Sequence, residues 1–480
     1  MANKLIIIHG YSDGATSFEG LRDFFVDSGC YAKQDVSMLS YDSIDDESTF
    51  EDFADKLDQD YASQFGTERV DIACHSTGAL VARAWLRMHY RRQVEAGVAK
   101  PVSPCHHLLM FAPANFGSDL ARLGQSFLSK FKMTFNPNRQ KEDVHESGRI
   151  VLQGLEPASP FQWALSNDDL HGDGFFNPGL GATHVCYPFI FASGKGYGGI
   201  QAKLLPARNK PGTDGTVRIC GTSLNTRMCW INFAKARVSV GWTPERKFER
   251  IPFAIFDAYN HGSIVDVGDE FSKGVHSVGA LAIDALKVRT LADYVGMASR
   301  FDAAMRAKHE GDDYQQFFFR VIDDAGFVIG DYYLDFHVRL EDETVDKALT
   351  AEFDRAFKAD FTRHSVDSSC RVLMLNVTRL KAYLAKLRAA RARLCFDITA
   401  QPPYPQIQYH TGYAVVFDGT SATPNGAPAF LFPNTTTLVE VTLNRIQSDA
   451  VLHLLDHDLR PRLLPAPKPA TSPTGRASLF

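Results

Sequence analysis

The sequence has few cysteines and no pair of them spaced for metal or redox chemistry. Eight cysteines are spread over 480 residues without a Cys-x-x-Cys pair, which excludes a disulfide scaffold. The adjacent Cys105, His106 and His107 resemble a metal cluster, but neighbours along a strand point to opposite faces of a sheet. Because no second cluster completes the set, we predict that the protein holds no metal.

The chain also lacks long apolar runs and a positive net charge. No run approaches the roughly 20 residues that span a bilayer, and the apolar stretch at residues 5–8 is too short for a signal-peptide core. These absences predict a soluble cytoplasmic chain in the producing cell, exported, if at all, without a signal peptide. The formal net charge of −5 gives no electrostatic argument for nucleic acid as a partner.

The pattern of apolar residues predicts two regions of different class. Over residues 1–300, short apolar strands alternate with helices, which is typical of an α/β fold with a parallel sheet. Within it, residues 119–180 are irregular, contain seven aromatic side chains and are long for a simple connection, which favours a lid. Residues 313–460 show several strands separated by turns and predict a β-rich, sandwich-like module. The Pro-, Ala- and Ser-rich residues 461–480 predict a disordered tail.

The sharpest chemical signal is the segment Cys74-His75-Ser76-Thr77-Gly78. It differs from Gly-x-Ser-x-Gly only in its first residue, and it stands between a short apolar strand and a helix. Such a strand-to-helix turn lifts a serine hydroxyl above the sheet, and the helix N-terminus stabilises negative charge there. We therefore predict that Ser76 is a nucleophile. The alternative is a serine that only caps the helix.

A serine nucleophile needs a base and an acid, which follow it in the order Ser, Asp, His in this fold. Asp214 lies in a glycine-flanked loop, and His261 stands between Asn260 and Gly262. We predict Asp214 as the acid and His261 as the base. Rival acids and bases are also present: Asp257, Asp266, His171, His184 and His276.

The oxyanion of an acyl-transfer intermediate needs two N–H donors. One comes from the residue after the nucleophile, here Thr77. The second is expected from the loop that follows an earlier strand, and His9-Gly10-Tyr11 fits that place. We predict the backbone N–H groups of Tyr11 and Thr77 as the oxyanion donors.

Four segments together resemble α/β-hydrolase lipases of the group that contains lecithin:cholesterol acyltransferase and the GPI inositol-deacylase-like lipases. They are residues 8–11, 74–83, 212–217 and 260–263. The resemblance covers roughly residues 1–290 and implies nucleophile Ser76, acid Asp214, base His261, oxyanion donors Tyr11 and Thr77, and a lid. The sequence departs from the group in having Cys74 for glycine. The lid segment and the appended β-module are similar to phospholipase effectors of bacterial type VI secretion.

These patterns predict a serine carboxylester hydrolase that acts on lipids, favoured as phospholipids, and requires no cofactor. A thioesterase, an amidase or an acyltransferase would share the triad. A binding protein on a hydrolase scaffold is the alternative outside enzymes. The type VI resemblance adds an immunity protein or a secretion carrier as a predicted partner.

Two further motifs have competing interpretations. Residues 194–199 match Gly-x-Gly-x-x-Gly, but prolines follow where a dinucleotide site needs a helix. Residues 377–394 carry six basic side chains, no acid and an apolar stripe at helical spacing. A basic amphipathic helix can contact a membrane surface. A helix packed on the β-module with a solvated basic face is the favoured alternative.

Overall fold

The computed structural model describes residues 4–10, 18–39, 47–123, 148–171, 176, 186–198, 210–234, 239–242, 250–402, 406–409, 413–416, 430–448, 451 and 477–478. The chain forms two compact units that alternate along the sequence. The first comprises Met1–Thr226, Pro244–Gly311 and Asn434–Thr436, and the second comprises Arg227–Thr243, Asp312–Pro433 and Thr437–Phe480. A segment between Asp214 and His261 in the chain therefore belongs to the second unit.

Helices and strands both occur along most of the described chain. The helices are α1 (Glu19–Asp27), α2 (Phe50–Phe65), α3 (Gly78–Glu95), α4 (Arg149–Leu155), α5 (Pro160–Asp169), α6 (Asp269–Ser272), α7 (Val278–Ala285), α8 (Leu291–Lys308), α9 (Lys347–Ala356) and α10 (Val377–Ala389). The strands are β1 (Lys4–Ile8), β2 (Val36–Leu39), β3 (Val70–His75), β4 (Cys105–Phe111), β5 (Tyr187–Ser193), β6 (Arg227–Asn232), β7 (Ser239–Trp242), β8 (Phe253–Phe256), β9 (Tyr314–Asp323), β10 (Tyr332–Arg339), β11 (Val345–Asp346), β12 (Lys358–Arg363), β13 (Cys370–Asn376), β14 (Arg393–Ala400), β15 (Ile407–Gln408), β16 (Tyr413–Val416), β17 (Thr435–Leu443), β18 (Ile446–Gln447) and β19 (Ala477–Ser478).

The first unit is built on a parallel sheet in the order β2-β1-β3-β4-β5-β8. Alternate residues of a strand face opposite sides of a sheet. Leu5 and Ile7 accordingly pack in one core with residues of α1, α7 and α8, while Ile6 and Ile8 are buried on the other face. The predicted fold class, α/β with a parallel sheet, helices and a β-rich C-terminal part, is confirmed.

A bulge in β4 changes the environment of the two adjacent histidines. Val70 pairs with Cys105 but Ile72 pairs with Leu108, so His106 and His107 both stand opposite Asp71. Their ring centroids are 4.1 Å apart. The expectation that these neighbours point to opposite faces was therefore wrong, because an extra residue interrupts the alternation.

Hydrogen bonds already engage the polar atoms of Asp71 and His107. The two oxygens of Asp71 face His107 Nδ1 and the Tyr31 hydroxyl, both at 2.7 Å. His107 Nε2 lies 2.7 Å from the carbonyl oxygen of Val288. Asp71, His106 and His107 form the one group of three with metal-ligating spacing in the described residues. The bonds of Asp71 and His107 connect β3 and β4 to each other and to the backbone at Val288.

In its described residues, the second unit contains a two-stranded sheet, β15-β18, and two larger sheets over one core. Their orders are β12-β13-β9-β17-β6-β7 and β11-β10-β14-β16-β19. Phe319 of β9 and Phe396 of β14 pack edge to face across the sheets, with ring centroids 6.2 Å apart, as expected of a sandwich. Of the predicted disordered tail, the structure describes Ala477 and Ser478, which pair with β16.

The basic helix α10 is part of this core. Its apolar stripe, the side chains of Val377, Leu380, Tyr383, Leu384 and Leu387, is buried there. Several basic side chains in and after the helix have acidic partners: Arg379 with Asp312, Lys386 with Glu352, Arg391 with Glu341 and Arg393 with Glu343. This arrangement favours the packed helix over the membrane-bound one. Among the described residues, no helix combines the length and apolar character of a bilayer span.

Candidate active site

The predicted turn is present where β3 meets α3. Ser76 has a φ of +53°, a conformation that non-glycine residues adopt only at an energetic cost and that marks functional sites. The residue lies at the N-terminus of α3, whose first N–H groups have no partners within the helix. The strained backbone therefore presents the hydroxyl at the positive end of a helix.

Two glycines allow the chain to pass close to this turn. A Cβ atom at Gly78 would lie 2.7 Å from the carbonyl oxygens of Ile8 and His9, and one at Gly10 would lie 2.9 Å from the Cβ of Ser76. Both separations are too short for real side chains. The loop after β1 therefore touches Ser76, the predicted nucleophile, as the prediction of an oxyanion loop requires.

Gly10→Ala is expected to lower kcat by about 10-fold or more, because the new methyl must displace Ser76 or the ring of His75 and small misplacements of reacting groups slow catalysis strongly. Steady-state ester hydrolysis measures this effect. Gly296→Ala in α8 is the matched control, since its Cβ would meet nothing within 4 Å. Equal kcat in the two variants would contradict the close approach at Gly10.

Ser76, His261 and Asp214 lie in one line of hydrogen bonds. Ser76 Oγ lies 2.9 Å from His261 Nε2, and His261 Nδ1 lies 2.9 Å from Asp214 Oδ2. The three side chains come from the end of β3 and from two loops distant in sequence. Ser76 and His261 are 7 % and 6 % exposed and Asp214 is fully buried, so solvent has narrow access to the serine and histidine and none to the acid.

Asp214 is held as a carboxylate by its surroundings. Burial alone would raise its pKa, but the nearby His261 and hydrogen bonds from His261, Ser193 and the Val217 N–H outweigh burial and lower that pKa. The Ser193 hydroxyl lies 2.6 Å from Oδ2, and the Thr216 and Val217 N–H groups donate to Oδ1. The charge persists at neutral pH and can orient the Nδ1–H of His261.

The residue before the predicted nucleophile also contacts the predicted base. His75 is 3 % exposed, and its Nε2 lies 2.8 Å from the backbone carbonyl oxygen of His261. Burial and then the neighbouring ring of His261 lower the pKa of His75 to about 3. The ring is therefore neutral at pH 7. Because a carbonyl oxygen only accepts, Nε2 is the protonated nitrogen.

The low pKa of His75 predicts a loss of stability in acid. An unfolded histidine binds a proton below pH 6.5, whereas folded His75 stays neutral until about pH 3. The unfolded state thus holds more protons between these values, so the contribution of His75 is complete above pH 6.5 and is lost as the pH falls toward 3. Urea midpoints should drop from pH 7 to pH 5 less steeply in His75→Gln than in the wild type; parallel curves would refute this.

Four of the five rival acids and bases, Asp257, Asp266, His171 and His276, lie in the described residues. Asp257 accepts from His309 Nδ1 at 2.9 Å, and His171 Nε2 lies 3.3 Å from the Thr226 hydroxyl. Asp266 has its pKa raised by burial, and His276 is partly exposed in the turn before α7. His184 lies outside the described residues.

The structure places one of the two predicted oxyanion donors. Thr77 is 1 % exposed and directly precedes α3, and its role as an oxyanion donor stays a prediction. Tyr11 lies outside the described residues. Its neighbour Gly10 abuts Ser76, and the assignment of Tyr11 stays a prediction.

One supporting residue was missed by sequence reasoning. A Cβ at Gly215 would lie 2.3 Å from the ring of Tyr197, and one at Gly262 would lie 3.7 Å from its hydroxyl. Tyr197 therefore lies between the acid loop and the base loop. It stands in the Gly-x-Gly-x-x-Gly segment, whose described residues 194–198 are not helical. The glycines beside Asp214 and His261 were the available signal for a large neighbour.

The start of the predicted lid is fastened to the acid loop. Arg218 makes two hydrogen bonds to Asp119, at 2.7 and 3.1 Å, and the Ser118 hydroxyl donates to the carbonyl oxygen of Thr216. Farther on, Phe161 of α5 stacks on Phe50 of α2. Residues 124–147, 172–175 and 177–185 lie outside the described residues, so the lid stays a prediction.

The chain matches no family model and no curated protein sequence. Two solved structures of the phospholipase PlaB from Legionella pneumophila are similar to it. The complex with thio-NAD has 20 % sequence identity and a TM-score of 0.77, covering 97 % of this chain and 99 % of PlaB. The other has 22 % identity and a TM-score of 0.75, covering 98 % and 99 %. The similarity establishes that the chain shares the fold of PlaB over nearly its whole length.

Proposed function

We propose that this protein is a serine hydrolase that cleaves carboxylic esters of lipids. The observation that carries the proposal is the line of 2.9 Å hydrogen bonds from Ser76 through His261 to Asp214, with the serine in a strained turn at a helix N-terminus. This combination of nucleophile, base and orienting acid is the arrangement that acyl transfer requires.

The geometry supports the following sequence of steps. Ser76 Oγ attacks the ester carbonyl carbon while His261 Nε2 takes the hydroxyl proton, and Asp214 stabilises the resulting imidazolium. The N–H groups at the start of α3 stabilise the oxyanion. The intermediate collapses, the C–O bond breaks, and His261 returns the proton to the leaving alcohol. Water then attacks the acyl-enzyme with His261 as base and releases the carboxylic acid and Ser76.

The choice of lipid esters rests on two observations. The fold is shared with a phospholipase over nearly the full length of both chains, and residues 119–180, the predicted lid, contain seven aromatic side chains. An apolar cover over the site would favour long acyl chains over acetyl or butyryl groups. Phospholipids are the proposed substrates on this basis.

The proposal is tested with a fluorophosphonate probe and a mixed lipid extract. The probe should form an adduct on Ser76 that peptide mass spectrometry locates, and the enzyme should release long-chain fatty acids and lysolipids from the extract. Denatured protein provides the labelling control. Absence of an adduct on Ser76 would reject the serine hydrolase, and a preference for butyrate esters over long-chain esters would reject the lipid assignment.

The other activities that share the triad are separated by the same substrate set. Thioesters, amides and an added alcohol acceptor distinguish a thioesterase, an amidase and an acyltransferase from an ester hydrolase. A binding protein on this scaffold would take up lipid without releasing acid.

The roles as an exported effector with an immunity or carrier protein stay predictions that rest on the resemblance. Co-purification from the producing cell tests whether such a partner binds the protein. A partner that suppresses ester hydrolysis by the purified enzyme would support an immunity protein. Because the apolar stripe of α10 is buried in the second unit, this helix is not proposed as the membrane contact.

A further inference from the structure

We propose that His75 is a positioning residue that fixes the backbone of the catalytic base, so that consecutive residues of the turn hold both ends of His261. Ser76 Oγ meets the His261 ring at 2.9 Å, and His75 Nε2 meets the His261 carbonyl oxygen at 2.8 Å. The inference rests on the proposed hydrolase function and adds a residue that the triad does not include.

Few other bonds fix the main chain of His261. Its N–H donates to the carbonyl oxygen of Asp214 at a long 3.3 Å. Within the loop itself, the Asn260 side chain accepts from the N–H groups of Gly262 and Ser263, which shapes the turn but does not tie it to the sheet. The bond from His75 connects the base loop directly to β3, the strand that ends at the nucleophile.

Packing leaves His75 little freedom to move. Its ring centroid lies 4.8 Å from that of His261 and 5.6 Å from that of Phe18. A Cβ at Gly10 would lie 3.0 Å from its Nδ1. A side chain confined on these sides holds the donor in one direction, as a supporting residue must.

The charge state of His75 suits this role. The ionisable groups facing it are His261, Asp214 and His9, and burial keeps its pKa at about 3. A neutral donor 4.8 Å from the base adds no positive charge against the imidazolium that forms on His261. A lysine or a protonated histidine at this position would disfavour that imidazolium by like-charge repulsion.

The test compares three substitutions with a monomeric soluble ester. His75→Gln retains a side-chain N–H donor of similar reach, His75→Leu removes the donor, and His75→Asn retains an amide that is too short. The Leu and Asn variants should lose about 10- to 100-fold in kcat with KM within about twofold, in line with the cost of misplaced groups. The Gln variant should keep a kcat within about threefold of the wild type, and fluorophosphonate labelling rates should follow kcat.

The outcomes separate this inference from the proposed function. Absence of labelling in the wild type would reject the hydrolase itself. Labelling in the wild type with equal losses in Gln, Asn and Leu would overturn the positioning role, as would wild-type kcat in Leu and Asn. The acid limb of the pH–kcat profile should be the same in His75→Gln as in the wild type; a displaced limb would show that His75 titrates during catalysis. If Leu fails to fold, the Gln and Asn comparison decides.

Discussion

Ser76→Ala is expected to lower kcat/KM for ester hydrolysis by a factor on the order of 10⁵, because in the proposed mechanism the serine, histidine and aspartate act as one unit and loss of the nucleophile removes the acyl-enzyme route. The circular dichroism spectrum should not change, since only one oxygen atom is removed from a 7 % exposed side chain. Initial rates with a chromogenic ester measure the loss. Substantial residual turnover would show that another group is the nucleophile.

Two further variants show whether the loss belongs to the triad. Ser193→Ala also removes a buried hydroxyl, but Asp214 keeps the donors from His261, Thr216 and Val217. One hydrogen bond to a charged group contributes about 1.5–3 kcal/mol, so a loss of about 10- to 150-fold is expected. Adding His261→Ala to Ser76→Ala should cost little more, because the two residues act in the same step.

The order of the first unit could be predicted because its strands and helices have clear apolar patterns. The strand before the nucleophile and the helix after it occur where the sequence places them, as β3 and α3. The sequence pattern does not indicate β2, whose four residues are all partly exposed, or β8, the parallel partner of β5. Short strands such as these acquire their conformation from pairing in the sheet, which local sequence does not encode.

The sequence pattern also does not show that Arg227–Thr243 belong to the second unit, and the reason is different. Strands β6 and β7 lie between the acid and the base in the chain, yet β6 pairs with β17 of the second unit over residues 227–232. Nothing in the local composition of 227–242 distinguishes a strand of one unit from a strand of the other. Such pairing depends on contacts more than 200 residues apart in sequence.

The three candidate catalytic residues could be predicted from the sequence, whereas the residues that contact them could not. The order Ser, Asp, His and the glycines around each residue predicted the three side chains that lie within hydrogen-bonding distance in the structure, because a catalytic triad restricts both the residue types and the turns that carry them. The supporting contacts of His75, Ser193 and Tyr197 depend on how three loops meet. A histidine before a serine or a tyrosine among glycines has many other uses, so only the folded geometry assigns these residues.

A buried ion pair connects α3, the helix that follows Ser76, to α5. Arg83 of α3 and Asp169 of α5 are both fully buried, and the guanidinium donates to the two carboxylate oxygens at 2.7 and 3.1 Å. The same guanidinium donates to the backbone and side-chain oxygens of Asn115, whose own amide reaches the carbonyl oxygen of Thr222. The arginine therefore joins α3, α5 and the loop after β4 without access to water.

Arg83→Met is expected to lower the free energy of unfolding by about 3–5 kcal/mol, because it leaves the carboxylate of Asp169 buried without its partner. Adding Asp169→Leu should restore part of that loss, since the double variant buries neither charge. Arg91→Met is the matched control in the same helix: Arg91 pairs with Asp168 but its side chain is 57 % exposed, so at most about 1 kcal/mol is expected. Urea unfolding followed by circular dichroism measures all three, and a loss in Arg83→Met no larger than in Arg91→Met would show that the buried pair does not stabilise the fold.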